Sequence, residues 1–142
     1  MREQLHSIES PSAVHCAATP MHAREIAVHG AQAMNRRKRG PLGTGFYTHT
    51  SLVGAAADIS GRSALLTFTV KACTGTLLER PSPDDVEAAG GHGHFLAVAD
   101  PFGFQVVFAK TTPLSLSKIT DGGMVLSPQA WLVRQANSSR TD

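Results

Sequence analysis

Residues 63–73, SALLTFTVKAC, carry the strictest hydrophobic alternation in the chain, and they limit what it can fold into. Successive side chains of a strand point to opposite sides. Leu66, Phe68, Val70 and Ala72 therefore share one face, and Leu65, Thr67, Thr69 and Lys71 the other. A sheet with an apolar face needs a second layer to cover it. The segment ATPMHAREIAVHGAQAM, residues 18–34, supplies one. Thr19 can cap a helix through its hydroxyl, and Pro20 suits the first helical position, where a missing N–H costs nothing. Ala23, Ala27, Gly30 or Ala31, and Met34 recur at helical spacing with Ile26 beside them. That face of small residues lets a sheet approach closely. Gly40 and Pro41 are stop and turn residues that end the segment.

Further strands are predicted over residues 43–53 and within HFLAVA and FGFQVVFAK, the last two separated by Asp-Pro. ERPSPDDVEAAGGHG reads as a loop with one helical turn from Pro83 to Ala89, since Ser82 can cap it and Asp84 and Asp85 suit a helix N-terminus. One helix followed by several strands predicts an α+β domain with a mainly antiparallel sheet packed on the helix. Residues 1–18 lack periodicity and read as a flexible lead-in, residues 19–110 as the domain, and residues 111–142 as a tail. Within the tail, SPQAWLVRQA can start a short helix at Ser127-Pro128.

The chain has 142 residues, enough for one core and too few for two ordinary domains. Its net charge of +2 comes largely from one run, Arg36-Arg37-Lys38-Arg39, which argues against a general nucleic-acid surface. Cys16 and Cys73 lie far apart with no CxxC spacing, so neither a zinc knuckle nor a disulfide framework is indicated. Residues 1–14 contain no apolar core of a secretory signal, and no stretch approaches 18 apolar residues. These readings give a cytoplasmic protein as the expectation.

The ordered pieces ATPMHAREIAVHGAQAM, GPLGTGFYTHT, GRSALLTFTVKACTG and GGHGHFLAV resemble the hot-dog-fold thioesterases related to fluoroacetyl-CoA thioesterase. The resemblance spans roughly residues 14–110. It implies an antiparallel sheet wrapped around a central helix, a homodimer, and hydrolysis of an acyl-CoA thioester, with coenzyme A as part of the substrate and no other cofactor. It further implies that His49 is the catalytic histidine, that Thr19 is a helix-start hydroxyl near the thioester, and that Gly43 contacts the substrate carbonyl. The chemistry suits such a site. A helix N-terminus favours a developing oxyanion, and neutral imidazole takes a proton near pH 7. Arg36 and Arg37 would then hold the phosphates of coenzyme A; as plain residues they are a solvated helix end or, less simply, a nuclear-import or nucleic-acid patch.

The chain departs from the family where the helix carries a glutamate, since position 28 is Val and the nearest acid is Glu25. Ala97 stands where an arginine is expected, and the segment after His49 is shorter by close to a strand. An acyl-CoA-binding module without turnover is the alternative that these departures suggest. HFLAVADPFGFQVVFAK also resembles the last strand pair of vicinal oxygen chelate proteins such as glyoxalases and extradiol dioxygenases, with His49 as a metal ligand, although Val107 occupies the position of the family's glutamate ligand. His92 and His94, at i and i+2, could chelate a metal with His49 if they lie on a strand, or form a polar loop edge. Without any resemblance, His49 is a hydrogen-bonded strand histidine, Thr19 is a helix cap, and both cysteines are core or incidental residues.

Overall fold

The computed structural model describes residues 5–31, 38–57, 64–89 and 93–140. The alternating segment forms β5 (Ala64–Val70), with Leu66 and Phe68 fully buried and Thr69 exposed. The other strands are β1 (Leu5–Glu9), β2 (Ala13–Ala18), β3 (Lys38–Gly40), β4 (Gly43–His49), β6 (Thr74–Leu78), β7 (Phe95–Asp100), β8 (Gly103–Phe108), β9 (Leu114–Asp121) and β10 (Met124–Leu126). The helices are α1 (Pro20–His29), α2 (Leu52–Ala57), α3 (Pro83–Ala89) and α4 (Pro128–Arg140). The architecture is α+β. Nine strands form one sheet in the order β1-β6-β7-β8-β4-β2-β5-β9-β10, and β3 pairs with β4 outside that path. All the described pairings are antiparallel except that of β6 with β7, which are linked through α3.

Two faces of this sheet are covered by different helices. On one face Val14, Cys16, Phe46, Leu66, Phe68, Val106, Phe108 and Ile119 form the main core with Ala23 and Ile26 of α1 and Trp131 of α4. Phe46 and Phe68 meet edge to face at 5.6 Å. On the other, Tyr47, Leu78 and Val107 pack with Ala89 and Val86 of α3. Phe46 and Tyr47 are consecutive, and the pleat sends them to opposite cores.

α1 starts as expected. Thr19 is its N-cap, with the His22 N–H donating to Thr19 Oγ1 at 3.3 Å, and Pro20 opens the helix. It stops earlier than Gly40-Pro41, because Gly30 takes a positive φ of 87° and its N–H closes the last turn on the Ile26 carbonyl at 2.7 Å. Met34 lies outside the described residues.

The flanking segments differ from the sequence expectation. Residues 5–18, read as part of a flexible lead-in, form β1 and β2, and β2 lies near the middle of the sheet between β4 and β5. Residues 114–140, read as a tail, form β9, β10 and a 13-residue α4. Trp131 is fully buried in the main core, and its Nε1–H donates to Asp121 Oδ2 at 2.9 Å. Among the described residues, no helix is long and apolar enough to cross a membrane.

Candidate functional site

β2 and β4 meet at a single register position, where His15 stands opposite His49. The adjoining registers extend this position into a row across the sheet: Lys118, Thr67, His15, His49, Gln105, Val98 and Leu78. Directly opposed residues project from the same face of a sheet, so Thr67, His15, His49 and Gln105 make a polar band on the face opposite Phe46 and Val14. His15 Nδ1 lies 2.8 Å from Thr67 Oγ1. Burial lowers the His15 imidazole below its ordinary pKa of 6.5.

His49 has a carboxylate partner. Its Nδ1 lies 3.2 Å from Asp100 Oδ2, with the two side chains 9% and 19% exposed. Local turn chemistry puts the carboxylate there. The run Asp100-Pro101-Phe102-Gly103 is the turn between β7 and β8, with Pro at its second position. Asp100 Oδ1 accepts the Phe102 N–H at 2.8 Å, which leaves Oδ2 directed at the histidine. Gly103, at φ 144°, is needed for the close approach of Thr50, whose Oγ1 would lie 2.6 Å from any Cβ placed there. Thr50 then pins the hairpin to the end of β4: its N–H donates to the Phe104 carbonyl at 2.9 Å, and its hydroxyl accepts the Phe104 N–H at 3.0 Å. Both oxygens of Asp100 are therefore engaged, Oδ1 by the Phe102 N–H and Oδ2 by the His49 ring.

α2 roofs the pair. Ser51 Oγ accepts the Gly54 N–H at 2.9 Å, and a Cβ on Gly54 would lie 3.2 Å from His49 Nδ1. The glycine lets the first helical turn rest against the ring, which leaves His49 only 7% exposed.

The other expected site residues do not join this pair. Gly43 begins β4 and His49 ends it, so they are six residues and roughly 20 Å apart at 3.3 Å per residue. One carbonyl cannot touch both. The Gly43 carbonyl is itself occupied, accepting the Tyr47 hydroxyl at 2.5 Å while that hydroxyl accepts the Leu42 N–H at 3.1 Å. Thr19 lies four residues beyond His15, roughly 13 Å along the sheet, and its hydroxyl caps α1. Glu25 and Val28 are both exposed on α1, and Ala97 is a core residue of β7, so no acid or arginine reaches the histidine from those positions.

Arg36, Arg37 and His92 lie outside the described residues. His94 precedes β7 at the end opposite Asp100, with its N–H on the Thr74 carbonyl and its buried Nδ1 without a hydrogen-bond partner. It does not approach His49. Val107 faces Tyr47 across the β4/β8 ladder and belongs to the smaller apolar cluster. Among the described residues, no three His, Cys, Asp or Glu side chains converge as a metal site requires. The described residues thus assemble no vicinal oxygen chelate centre, even though His15 and His49 are opposed in register.

Sequence reading missed Asp100 as a partner and missed His15 altogether. The turn signature around Asp100 was visible, but its proximity to His49 depends on β8 lying between β7 and β4. The His49 imidazole is thus held at Nδ1 by a partly buried carboxylate, an arrangement that fixes the orientation of the ring. No protein-family model, curated protein or solved structure matches the chain.

Proposed function

We propose that the chain is a cytoplasmic acyl-CoA thioester hydrolase on a hot-dog-like fold, active as a homodimer, in which His49 is the general base and Asp100 its positioning residue. The observation that carries this reading is the Nδ1 to Oδ2 distance of 3.2 Å between two largely buried side chains. Packing of α1 on β2 and β5 is compatible with the helix-on-sheet core of that fold. Asp100 accepts the Nδ1–H, so the neutral imidazole carries its lone pair at Nε2. His49 takes a proton from water as the water oxygen adds to the thioester carbonyl. The C–S bond then breaks, and the departing sulfur receives that proton from the imidazolium. Gly43 and Thr19 stand too far from His49 to share the step, so this reading keeps His49 alone of the three as a catalytic residue.

Thiol release from a panel of acyl-CoA thioesters tests the proposal. Release that His49→Ala lowers by about 10²- to 10⁴-fold, the usual contribution of a positioned general base, supports it. Binding of acyl-CoA with no release would instead give the non-catalytic binding module, and neither binding nor release would remove both.

A further inference from the structure

The hydrolytic step proposed above places negative charge on the thioester oxygen, and that charge needs a hydrogen-bond donor. Gly43 and Thr19 are too far from His49 to supply one. Two side chains flank His49 in register on its own face of the sheet, His15 on β2 and Gln105 on β8. Both residue types can donate. Asp100 comes from the β8 side of His49, so His15 occupies the flank that the carboxylate leaves open.

The two imidazoles are tied on opposite flanks. His15 Nδ1 lies 2.8 Å from Thr67 Oγ1 of β5, beyond β2. His49 Nδ1 lies 3.2 Å from Asp100 Oδ2 of β7, beyond β8. The bond facing Nδ1 across an imidazole ring is Cδ2–Nε2. With each Nδ1 turned outward, both Nε2 atoms sit on the inner sides, over the gap between β2 and β4. Neighbouring strands are about 4.8 Å apart. That spacing admits a water oxygen at one ring and a carbonyl oxygen at the other, with the reacting carbon about 3–3.5 Å from the water. His15 is half-buried whereas α2 roofs His49, so a ligand reaches the pair over His15.

The proton positions on the two rings are complementary. A carboxylate only accepts, so the ring proton of neutral His49 sits on Nδ1. A threonine hydroxyl can donate to Nδ1 of a neutral ring, and the ring proton of His15 is then on Nε2. Burial holds the His15 imidazole below its ordinary pKa of 6.5, which keeps it neutral near pH 7.

We infer that His15 is a second catalytic residue, the donor whose Nε2–H receives the thioester oxygen, and that Thr67 positions it through Nδ1. This assignment rests on the hydrolase reading of His49 and Asp100. As the water oxygen bonds to the carbonyl carbon, its proton passes to His49 and the C=O π pair moves to oxygen. That oxyanion accepts the His15 N–H without taking the proton. When the pair re-forms C=O, the C–S bond breaks and the sulfur takes the proton held by His49.

The full chain, isotope-labelled at its histidine nitrogens, gives the first test, since imidazole nitrogen shifts distinguish the two neutral tautomers. At pH 7.5 the His15 signals, assigned with His15→Gln, should show the proton on Nε2, and Thr67→Val should remove that preference. A proton on Nδ1 would overturn the assignment. Thiol release from acyl-CoA thioesters gives the second. His15→Ala should lower kcat by about 10²- to 10³-fold, the usual cost of one oxyanion donor, with KM nearly unchanged. His15→Gln, which keeps an N–H donor, should recover about tenfold of that loss. A His15→Ala chain as active as wild type, or a loss seen in Gln105→Leu instead, would overturn this inference and leave His49 as the base. Absence of thiol release from wild type would remove the hydrolase reading and the role of His15 with it.

Discussion

Replacing Trp131 by Ala measures how far the C-terminal segment belongs to the core. The side chain is 0% exposed in the main cluster, and its Nε1–H donates to Asp121 Oδ2. A buried tryptophan withdraws about 150–250 Å² from water. At about 25 cal/mol per Å² that amounts to roughly 4–6 kcal/mol, close to the 3–5 kcal/mol typical of Trp-to-Ala changes in cores. Whole domains of this size are stable by about 5–15 kcal/mol, so the variant sits near its limit. For about 150 residues each kcal/mol moves Tm by about 2–4 °C, giving a fall of about 6–20 °C. Trp131→Phe keeps most of the apolar area and loses the hydrogen bond to a carboxylate, a cost of about 1.5–3 kcal/mol. Thermal and urea unfolding followed by far-ultraviolet circular dichroism separates the two variants. A Tm for Trp131→Ala within 2 °C of wild type would refute the reasoning, since it would mean that α4 contributes nothing to the core.

Stability should fall as the pH is lowered through about 6.5, because the unfolded His15 binds a proton there while burial holds the folded ring neutral to lower pH. Between the two values the unfolded state carries more protons. The difference in urea midpoint between pH 7.5 and pH 5.0 should therefore shrink in His15→Gln, and an unchanged difference would contradict the assignment. Burial pushes the Cys16 thiol up to about 12. Iodoacetamide at pH 8 should accordingly spare Cys16 in the folded chain and modify both cysteines in guanidinium, as read by peptide mass. Gly45→Ala would place a Cβ 2.6 Å from Val107 Cγ1 and 2.9 Å from the Phe108 carbonyl oxygen, forcing β4 from β8. Overpacking of that kind costs about 1–3 kcal/mol, and a Tm equal to wild type would show that the strands yield freely.

Where local chemistry decides an element, the sequence displayed it. β5 follows from strict alternation, the start of α1 from Thr19-Pro20, and α3 from Ser82-Pro83 with its two aspartates. α4 begins at the expected Ser127 cap, whose Oγ accepts the Ala130 N–H. Elements formed by partners were hidden. β2 is AVHCAA, weak in intrinsic strand preference, and is held extended by the β5 ladder. β9 conceals its alternation because Ser117 is an extra residue: Thr67 pairs with Lys118 and Phe68 with Leu116. That bulge shifts the core positions from Leu114 to Ile119, so the period of two breaks mid-strand.

The candidate site follows the same division. His49 stood out as a strand histidine, and Asp100 as the first residue of a turn. Their meeting depends on β8 lying between β7 and β4, and their depth on α2 folding back over the ring at Gly54. The first is not encoded within a few residues. Gly43 and Thr19, matched by order along the chain, are separated from His49 by strand length, which linear spacing does not reveal.

The most direct measurement is kcat/KM for thioester hydrolysis by wild type, His49→Ala, Asp100→Asn and the double variant, with folding verified by circular dichroism. If Asp100 acts only by holding His49, as proposed, each single variant should lose about 10²- to 10⁴-fold, and the double variant should lose no more than His49→Ala alone. Losses that multiply in the double variant, or an Asp100→Asn enzyme as active as wild type, would contradict the claim that the pair works as one base.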